Sequence, residues 1–421
     1  MFKKTIISEF FTTISFHQYL SSLWIILFRL PSLRYWKSIQ FVEKEILMYL
    51  NREKSKIISL YNWRSALYKA LKIIWIKKSD EVIVTAYTCV SVINAVIQSW
   101  AKIIYSDIEE TTLWIDPIKL NKNITKNTKV IVVQHTFGKA AQIERIWKIA
   151  KEKKILIIED CAHSLWSRVD GVKLGWFADF SIFSTGRDKV ISSVTGWFLV
   201  INNQKYFKKI DTIKAILKIP SRKRVIKDIM YNIFAYKAYK LYDFFSIGKW
   251  IIFITRKLWL INEIITQKEK NCQFQEFNYI LPNSLAFLVS KELEIIKVYS
   301  NYKKLLAEYY NSNIKSKYLE KIYKPLKNEK NNYFRYPIIL KSSKQKNKFY
   351  AYMKKNNILL WNYWSWNNIV PAGVNEKNTR YKTWSCTVSE DISSRIVTIP
   401  NHKLVSIKDM EKIISLINKF K

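Results

Sequence analysis

An acidic pair, a hydroxyl and one lysine lie close together in the stretch from residue 155 to 201. Glu159 and Asp160 end a short apolar run, a pattern typical of a buried parallel strand with a functional polar end. Ser184 ends a second apolar run, and Lys189 follows it in a segment of polar residues. Open α/β sheets bind ligands at the carboxyl ends of their strands. The stretch therefore predicts a ligand site at neighbouring strand ends.

The same stretch resembles the sugar-nucleotide aminotransferases of the DegT/StrS type, a branch of the fold-type I enzymes that use pyridoxal phosphate. That family has the motif E-D-x-A-[QH], which EDCAH at residues 159–163 matches. Its motif F-S-x-x-x-x-K is matched by Phe183, Ser184 and Lys189 at the family spacing. Its third motif, G-E-G-G, is matched only in part by VTGW at residues 194–197.

The resemblance implies a role for each matched residue. Asp160 would keep the pyridine nitrogen of the cofactor protonated, and His163 would lie against the ring or near its phenolic oxygen. Ser184 would bind the phosphate. Lys189 would link covalently to the aldehyde and then carry the proton during amino transfer. The sugar dehydratases of the family have histidine at that position, so the lysine favours amino transfer. Read without the resemblance, Asp160 could be a helix N-cap and Lys189 a solvated surface residue.

Three further segments complete the implied cofactor site. Trp63, Arg64 and Ser65 open an apolar-periodic helix, whose N-terminus could hold the phosphate. Cys89 stands where the family usually has an aromatic residue that stacks on the ring. Asn278 matches a family asparagine that reaches the phosphate of the neighbouring subunit, which implies a homodimer with shared active sites.

Strands alternate with helices from residue 60 onward, which predicts an α/β fold with a mostly parallel sheet. The resemblance implies a fold-type I large domain followed by a small C-terminal α+β domain. After residue 283 the pattern predicts two helices, 284–298 and 302–313. The expected division of the chain is a basic N-terminal arm (1–55), a large cofactor-binding domain (56–201), a basic, aromatic-rich helical insertion (202–265), and helices with the small domain (266–421).

The insertion at residues 202–265 has two interpretations. Its helical pattern has one basic face and one aromatic and aliphatic face, as in amphipathic elements that lie on a membrane surface. The same pattern also fits a helical subdomain that covers the active site. We expect the subdomain and keep membrane contact open.

The formal charge of +38 over 421 residues would fit a nucleic-acid or anionic-membrane partner. However, Lys, Ile, Asn, Tyr and Phe are all abundant, and all are served by A/T-rich codons. Base bias therefore explains the charge without a polyanion, and no nucleic-acid-binding motif accompanies it. We expect no nucleic-acid partner.

The spacing of the cysteines and the length of the apolar runs indicate where in the cell the protein is found. The four cysteines, Cys89, Cys161, Cys272 and Cys386, show neither disulfide nor metal-ligand spacing. The N-terminus lacks a clean signal-peptide core, and the longest apolar runs fall far short of the roughly 20 residues that span a bilayer. These features predict a cytoplasmic protein with no metal site.

Glycine is unusually scarce and tryptophan unusually common, with 7 and 16 residues. An average chain of this length would have about 29 glycines. We hypothesise that many of these tryptophans are glycines in the living protein, encoded by UGA codons that were read here as tryptophan. The alternative is a decayed, inactive paralogue. The tryptophans at family glycine positions, where a tight turn needs a residue without Cβ, are Trp63, Trp75, Trp100, Trp166, Trp197 and Trp384, with Trp361 as a seventh candidate.

These observations favour a pyridoxal-phosphate-dependent aminotransferase that aminates a nucleotide-linked keto sugar. Glutamate or glutamine would be the amino donor, and the product would serve cell-surface polysaccharide or glycan biosynthesis. Two alternatives stay open at this point. One is a catalytically inactive or regulatory paralogue, and the other is a basic protein that binds membranes or nucleic acid.

Overall fold

The computed structural model describes residues 4–8, 14–29, 37–110, 112–263, 265–273, 278–322, 328–360, 369–370 and 373–421. Within these ranges it describes every side chain except those of residues 63, 64, 321 and 322. Trp361 lies outside the described residues.

Seven of the fifteen described strands form one large sheet in the first half of the chain. The strands are β1 (Ile6–Ile7), β2 (Lys56–Leu60), β3 (Glu81–Thr85), β4 (Lys102–Ser106), β5 (Thr128–Gln134), β6 (Leu156–Asp160), β7 (Arg168–Val169), β8 (Val172–Lys173), β9 (Phe180–Ser184), β10 (Trp197–Ile201), β11 (Leu319–Ile322), β12 (Glu329–Lys330), β13 (Tyr336–Leu340), β14 (Ile358–Leu359) and β15 (Ile396–Ile399).

The helices alternate with these strands and dominate the insertion and the C-terminal third. They are α1 (Phe16–Phe28), α2 (Ser38–Leu50), α3 (Trp63–Ile74), α4 (Val90–Gln98), α5 (Pro117–Asn123), α6 (Ile143–Glu152), α7 (Lys209–Ala215), α8 (Arg222–Lys240), α9 (Ile247–Lys257), α10 (Gln267–Lys270), α11 (Asn283–Asn313), α12 (Ser343–Lys355), α13 (Thr387–Arg395) and α14 (Ile407–Lys419).

The large sheet has seven strands in the order β2-β10-β9-β6-β5-β3-β4. All neighbouring pairs are parallel except those of β10, which runs antiparallel to both β2 and β9. Both faces are covered, and the strands are accordingly apolar along most of their length. The predicted α/β fold with a mostly parallel sheet is confirmed.

The described part of the N-terminal region is packed into the fold. In α2 the residues Val42, Ile46 and Leu50 recur every four positions and join the core beneath the large sheet. Strand β1 pairs in parallel with β14, which belongs to the C-terminal part of the chain. The apolar stripe of α2 fixes this region against the large domain.

A single helix, α11, replaces the two helices predicted at 284–298 and 302–313, so that prediction is wrong. Residues 299–301 contain neither glycine nor proline, so nothing in the backbone ends the helix there. The buried face also continues without a gap through Ile296, Ser300 and Lys303. Continuous burial on both sides of the predicted break favours one helix of 31 residues.

The small C-terminal domain has a three-stranded antiparallel sheet in the order β11-β13-β15. Side chains from α12 and α14 pack with this sheet in a separate core that includes Phe349, Met353, Ile413 and Ile417. This arrangement matches the expected α+β domain.

The insertion is helical, as expected. Helix α8 packs against α1 on one side and α9 on the other. The contact between α8 and α9 is close at Gly248, where an added Cβ would lie 2.1 Å from the carbonyl oxygen of Ala238. Only glycine permits this approach. In the part of the chain that the structure describes, no helix is long and apolar enough to cross a membrane.

Four tryptophans that stand at family glycine positions have a left-handed backbone. The φ angles are 65° at Trp75, 67° at Trp100, 79° at Trp166 and 68° at Trp384. Trp75 directly follows α3 and Trp100 follows α4 by two residues, at helix ends where glycine is commonly found. A residue with a Cβ is strained in this conformation by about 1–2 kcal/mol. The backbone at these four positions therefore favours glycine.

The backbone does not favour glycine at every candidate. Trp63 is the first residue of α3, and Trp197 is the first residue of the extended strand β10. At these two positions the case for glycine rests on the family motif.

We expect Trp100→Gly to raise the free energy of unfolding by about 1 kcal/mol, because it removes the Cβ from a left-handed residue. Trp147→Gly is the matched control, since Trp147 lies within α6 and has no such constraint. There the glycine should lower the free energy of unfolding by about 1 kcal/mol. Guanidinium denaturation of the three proteins measures both values.

The codons give a second measurement of the same hypothesis. Recoding predicts UGA at Trp75, Trp100, Trp166 and Trp384, and glycine at these positions in the intact mass of the natural protein. UGG at these positions would establish tryptophan as the natural residue and end the hypothesis.

Candidate active site

The candidate site lies at the carboxyl ends of β6 and β9. Asp160 is the last residue of β6 and pairs in register with Ile182 of β9, two residues before Ser184. Lys189 lies in the loop of residues 185–196, which connects β9 to β10. The sheet thus brings together the acid, the hydroxyl and the lysine that the sequence singled out.

Backbone hydrogen bonds fold the Lys189 loop back on itself. The amide of Ser193 donates to the carbonyl of Thr185 at 2.8 Å, and the amide of Arg187 donates to the carbonyl of Val194 at 3.1 Å. The amide of Gly186 donates to Ser184 Oγ at 3.2 Å. These hydrogen bonds fix the backbone conformation of the loop from which the Lys189 side chain projects.

Asp160 has one carboxylate oxygen available to a ligand. Oδ1 accepts a hydrogen bond from the amide of Ala162 at 3.1 Å, and Oδ2 accepts none from any described residue. The N-cap alternative does not hold, because residues 161–166 form a turn and not a helix. Burial raises the pKa of Asp160, and the Ala162 amide and the charge of Lys189 oppose that shift.

Lys189 is partly buried, and its pKa is lowered chiefly by burial. Cys89 and Asp160 act in the opposite direction, and Arg335 adds to the lowering. A lysine with a lowered pKa has more of the neutral amine that attacks an aldehyde. The Lys189 ammonium lies 5.9 Å from the ring centre of Trp197.

His163 is buried and stacks on Phe334, with ring centres 4.5 Å apart. Burial holds the pKa of His163 well below its usual range, and the charges of Lys189 and Arg335 lower it further. The imidazole is therefore neutral, and it can act as a flat surface or as a hydrogen-bonding group beside Asp160.

The turn before α3 is joined to the Lys189 loop. Thr195 donates a hydrogen bond from its hydroxyl to the carbonyl of Tyr61, just before the helix begins. Ser65 is fully buried in the first turn of α3. The side chains of Trp63 and Arg64 lie outside the described part of the chain, so their predicted role stays a prediction.

Cys89 and Asn278 are the two remaining residues that the sequence predicted at the cofactor. Cys89 precedes α4 and its Sγ is 3.2 Å from Ser91 Oγ, so it provides no ring for stacking. Asn278 Oδ1 accepts a hydrogen bond from Lys69 Nζ of α3 at 2.6 Å. Asn278 is thus placed beside the same helix whose N-terminus could hold the phosphate. Its approach to a neighbouring subunit stays a prediction.

The sequence did not predict that α8 contacts the segments that carry the site. Asp228 in α8 accepts hydrogen bonds from the hydroxyl of Tyr61 and, at 2.8 Å, from Asn262 Nδ2. The guanidinium of Arg187 lies 3.8 Å from the ring centre of Tyr231, also in α8. Helix α8 therefore contacts both the turn before α3 and the Lys189 loop, which favours the subdomain interpretation. The only hint of this contact in the sequence was the position of Arg187, two residues before Lys189.

Glu159 organises a buried network beneath the site. Its carboxylate accepts hydrogen bonds from the amides of Gly175, Phe177 and Ala178 at 2.8–3.1 Å. His135 Nε2 lies 3.1 Å from the same carboxylate, while Nδ1 accepts from the amide of Ala141.

Glu159, His135 and Cys161 are close enough together to suggest a metal site. However, both ring nitrogens of His135 are engaged, and burial raises the pKa of the Cys161 thiol well above its usual range. These three residues form a structural network.

The groups at the strand ends fit pyridoxal phosphate. The available oxygen of Asp160 suits a protonated pyridine nitrogen, and Lys189 suits an aldehyde. Ser65 and Ser184, with the N-terminus of α3, provide donors for a phosphate. The Trp197 indole narrows the space beside Lys189, and glycine there would open it.

The family model described as the DegT/DnrJ/EryC1/StrS aminotransferase family matches residues 33–246 and 257–418. The chain belongs to this family. Aminotransferases of the DegT family depend on pyridoxal phosphate. The unmatched segment, 247–256, covers almost all of α9.

A curated relative is similar over part of the chain. GDP-perosamine synthase from Vibrio cholerae is 32% identical over 167 residues, which are 40% of this chain and 45% of that protein. The chain thus aligns with less than half the length of this relative.

Two solved structures establish the fold over the full length. PseC from Helicobacter pylori, an aminotransferase involved in the biosynthesis of pseudoaminic acid, has a TM-score of 0.75, 19% identity and 99% coverage of both chains. A DegT DnrJ EryC1 StrS aminotransferase from Brucella abortus has a TM-score of 0.72 and 18% identity, covering 96% of this chain and 95% of its own.

Proposed function

We propose that this DegT-family protein is a pyridoxal-phosphate-dependent aminotransferase that converts a nucleotide-linked keto sugar to an amino sugar. Glutamate or glutamine would be the amino donor, and the product would enter cell-surface polysaccharide or glycan biosynthesis. The placement of Asp160 at the end of β6 and of the partly buried Lys189 in the loop after β9 supports this reaction most directly. The free cysteines favour a reducing, cytoplasmic location.

Each residue of the site has a part in this reaction. The bound cofactor supplies the aldehyde and an electron-withdrawing ring. Lys189 gives up its proton readily, so its amine can take a proton from the donor carbon in the first half of the reaction, and in the second half its ammonium can give a proton to the sugar carbon. Asp160 provides the carboxylate oxygen that holds a proton on a ring nitrogen. His163 stays neutral, because burial and the charges of Lys189 and Arg335 lower its pKa.

We expect the purified protein to absorb visible light through its covalent link to the cofactor, and Lys189→Ala to remove that absorbance. Amino transfer should fall at least about a hundredfold in the same variant, because the proton carrier is lost. Lys153→Ala is the control, since Lys153 is an exposed residue at the end of α6. Absorption spectra and amine production measure both effects.

An inactive paralogue is the second candidate, because the Trp197 indole lies beside Lys189. A protein that stays colourless with pyridoxal phosphate, both as written and as Trp197→Gly, would favour this candidate. Visible absorbance that persists in Lys189→Ala would instead remove Lys189 from the mechanism.

We propose further that the enzyme is a homodimer in which Asn278 contributes to the partner's site. Asn278 lies beside α3 on the surface of the phosphate end, where a second subunit would approach. Sedimentation equilibrium should therefore give about 100 kDa, twice the 50.2 kDa of one chain. A mass of one chain at micromolar concentration would contradict the shared site.

We also propose that the insertion contacts a membrane surface through α9. Helix α9 exposes apolar side chains on one face, where a helix of a globular protein usually has polar ones. The exposed apolar surface also includes residues that flank the helix: Phe245, just before α9, is 71% exposed, and Leu258, just after it, is 60% exposed. The remaining exposed apolar side chains of this surface are Phe244, Ile247, Trp250, Phe253, Ile254, Trp259 and Leu260.

The charges around this α9 surface favour an anionic membrane over a second copy of the chain. Exposed basic residues border it, namely Lys237, Lys240, Lys249, Arg256 and Lys257. Asp243, one of the two acids described between residues 237 and 263, is bonded to Thr5. In a symmetric dimer the basic border would face itself and repel, whereas anionic lipid would attract it.

We expect the protein to bind phosphatidylserine-containing vesicles and the double variant Phe253→Ser, Leu258→Ser to bind about tenfold more weakly. Ile118→Ser is the control, because Ile118 is equally exposed but lies far away in α5. Vesicle flotation measures the bound fraction. Protein that stays at the bottom of the gradient would end the membrane proposal, and a mass change in the double variant would indicate a dimer surface instead.

A further inference from the structure

A cavity lies between α11, the start of β13 and the segment that follows β15. It offers about 20 Å³ to the centres of water-sized atoms, which exceeds the 10–15 Å³ that one water needs. The cavity adjoins the Lys189 loop through Val190. The residues that line it are Val190, Tyr299, Lys303, Phe334, Arg335, Asn401, His402 and Lys403.

The lining is strongly basic. Lys303, Arg335 and Lys403 contribute positive charge, and none of the described residues that line the cavity is acidic. Outside the lining, Glu292 lies 3.7 Å from Lys403 Nζ and also accepts a hydrogen bond from Ser15 Oγ at 3.0 Å. Glu292 is thus shared with Ser15, and its one negative charge acts on both Lys403 and Lys303.

His402 adds no charge to this group. Its Nε2 lies 2.8 Å from the carbonyl of Ile7, and its Nδ1 accepts from the amide of Leu404 at 3.3 Å. Burial lowers the pKa of His402 to about 3. The ring is therefore neutral, with its proton on Nε2.

Lys303 is the basic residue that lacks a partner. Its side chain belongs to a residue that is only 7% exposed, and Nζ forms no hydrogen bond or ion pair with any described residue. Nζ lies 5.8 Å from the ring centre of Phe334, and the guanidinium of Arg335 lies 4.5 Å from the same centre.

A buried ammonium must either be paired or lose its proton. The pKa of Lys303 falls to about 7, because of burial first and then the charges of Arg335 and Lys403, while the charge of Glu292 opposes the shift. A nearby anion would stabilise the charged form of Lys303.

We propose that the cavity binds a small, singly charged anion, a halide or a carboxylate group, between Lys303 and Arg335. A bound anion would supply the negative charge that the lining lacks and would gain charge-assisted hydrogen bonds from both residues. The volume limits the bound group to a single ion or to one end of a larger molecule.

The position of the cavity suggests two sources for that anion. One is a free ion from solution. The other is a carboxylate of the amino donor, because Arg335 Nη2 lies 3.5 Å from the carbonyl of Asp188, next to Lys189. Phe334 separates the basic pair from His163, which stacks on it at 4.5 Å. This second source presupposes the aminotransferase reaction.

Anion binding can be measured without activity, by thermal unfolding of the full-length protein at constant ionic strength. Replacing sodium gluconate, which is too large for the cavity, by sodium chloride should raise the melting temperature by about 1–2 °C. The rise should be absent in Lys303→Met. It should persist in Lys303→Arg, which keeps the charge, and in Lys304→Met, whose lysine is exposed and pairs with Glu308.

An equal rise in Lys303→Met, or no rise in any of the proteins, would overturn the anion site. Because the readout is the difference between two salts, a general loss of stability in Lys303→Met does not affect the conclusion.

Donor kinetics distinguish the two sources. If the cavity holds a donor carboxylate, chloride should compete with the donor, and Lys303→Met should raise the donor KM about tenfold with a smaller effect on kcat. An unchanged donor KM together with a chloride-dependent melting temperature would leave a free ion as the ligand. Absence of amino transfer in all proteins would refute the proposed reaction and leave the chloride result standing.

Discussion

The burial of two opposite charges, those of Asp160 and Lys189, is the constraint on which the site depends. Burial disfavours the charged form of each residue, so it raises the pKa of Asp160 and lowers that of Lys189. The charge of each residue partly offsets the pKa shift that burial causes in the other. Burying the two charges together therefore costs less free energy than burying them apart from each other. The surrounding fold must hold both in place without filling the space between them. That requirement explains why the supporting contacts are backbone hydrogen bonds and buried networks.

Two supports meet this requirement from different sides. Beneath the site, Glu159 gathers three backbone amides and His135, and so ties the end of β6 to the segment that leads into β9. Outside the site, Asp228 and Tyr231 of α8 contact the turn before α3 and the Lys189 loop. The first support belongs to the sheet of the family fold. The second comes from α8, which lies within the part of the chain that the family model matches, so a helix supports the site from outside the sheet.

The insertion that contains α8 ends in α9, a helix whose large apolar residues face solvent instead of the core. Helix α9 uses Gly248 to approach α8 closely and turns its large apolar residues outward. The family model leaves residues 247–256, almost all of this helix, unmatched. The tryptophans create a separate inconsistency, because a bulky side chain occupies a left-handed backbone at Trp75, Trp100, Trp166 and Trp384. In a natural sequence the local residue and the backbone usually agree, and glycine would restore that agreement.

The sequence by itself determined the fold class and the family, and it predicted the three central residues of the candidate site. Apolar runs that end in polar residues are local patterns, and the motif spacing around Asp160, Ser184 and Lys189 survives in the order of the chain. It misjudged α11, because the polar residues at 299–301 resemble a break although nothing in the backbone requires one. Only the tertiary structure decided which distant groups meet. The contact of Tyr61 with Asp228, the outward face of α9 and the basic cavity at Lys303 all join segments far apart in sequence. The residue types alone do not indicate these features, because burial and electrostatic interactions depend on which side chains the tertiary fold packs around each residue.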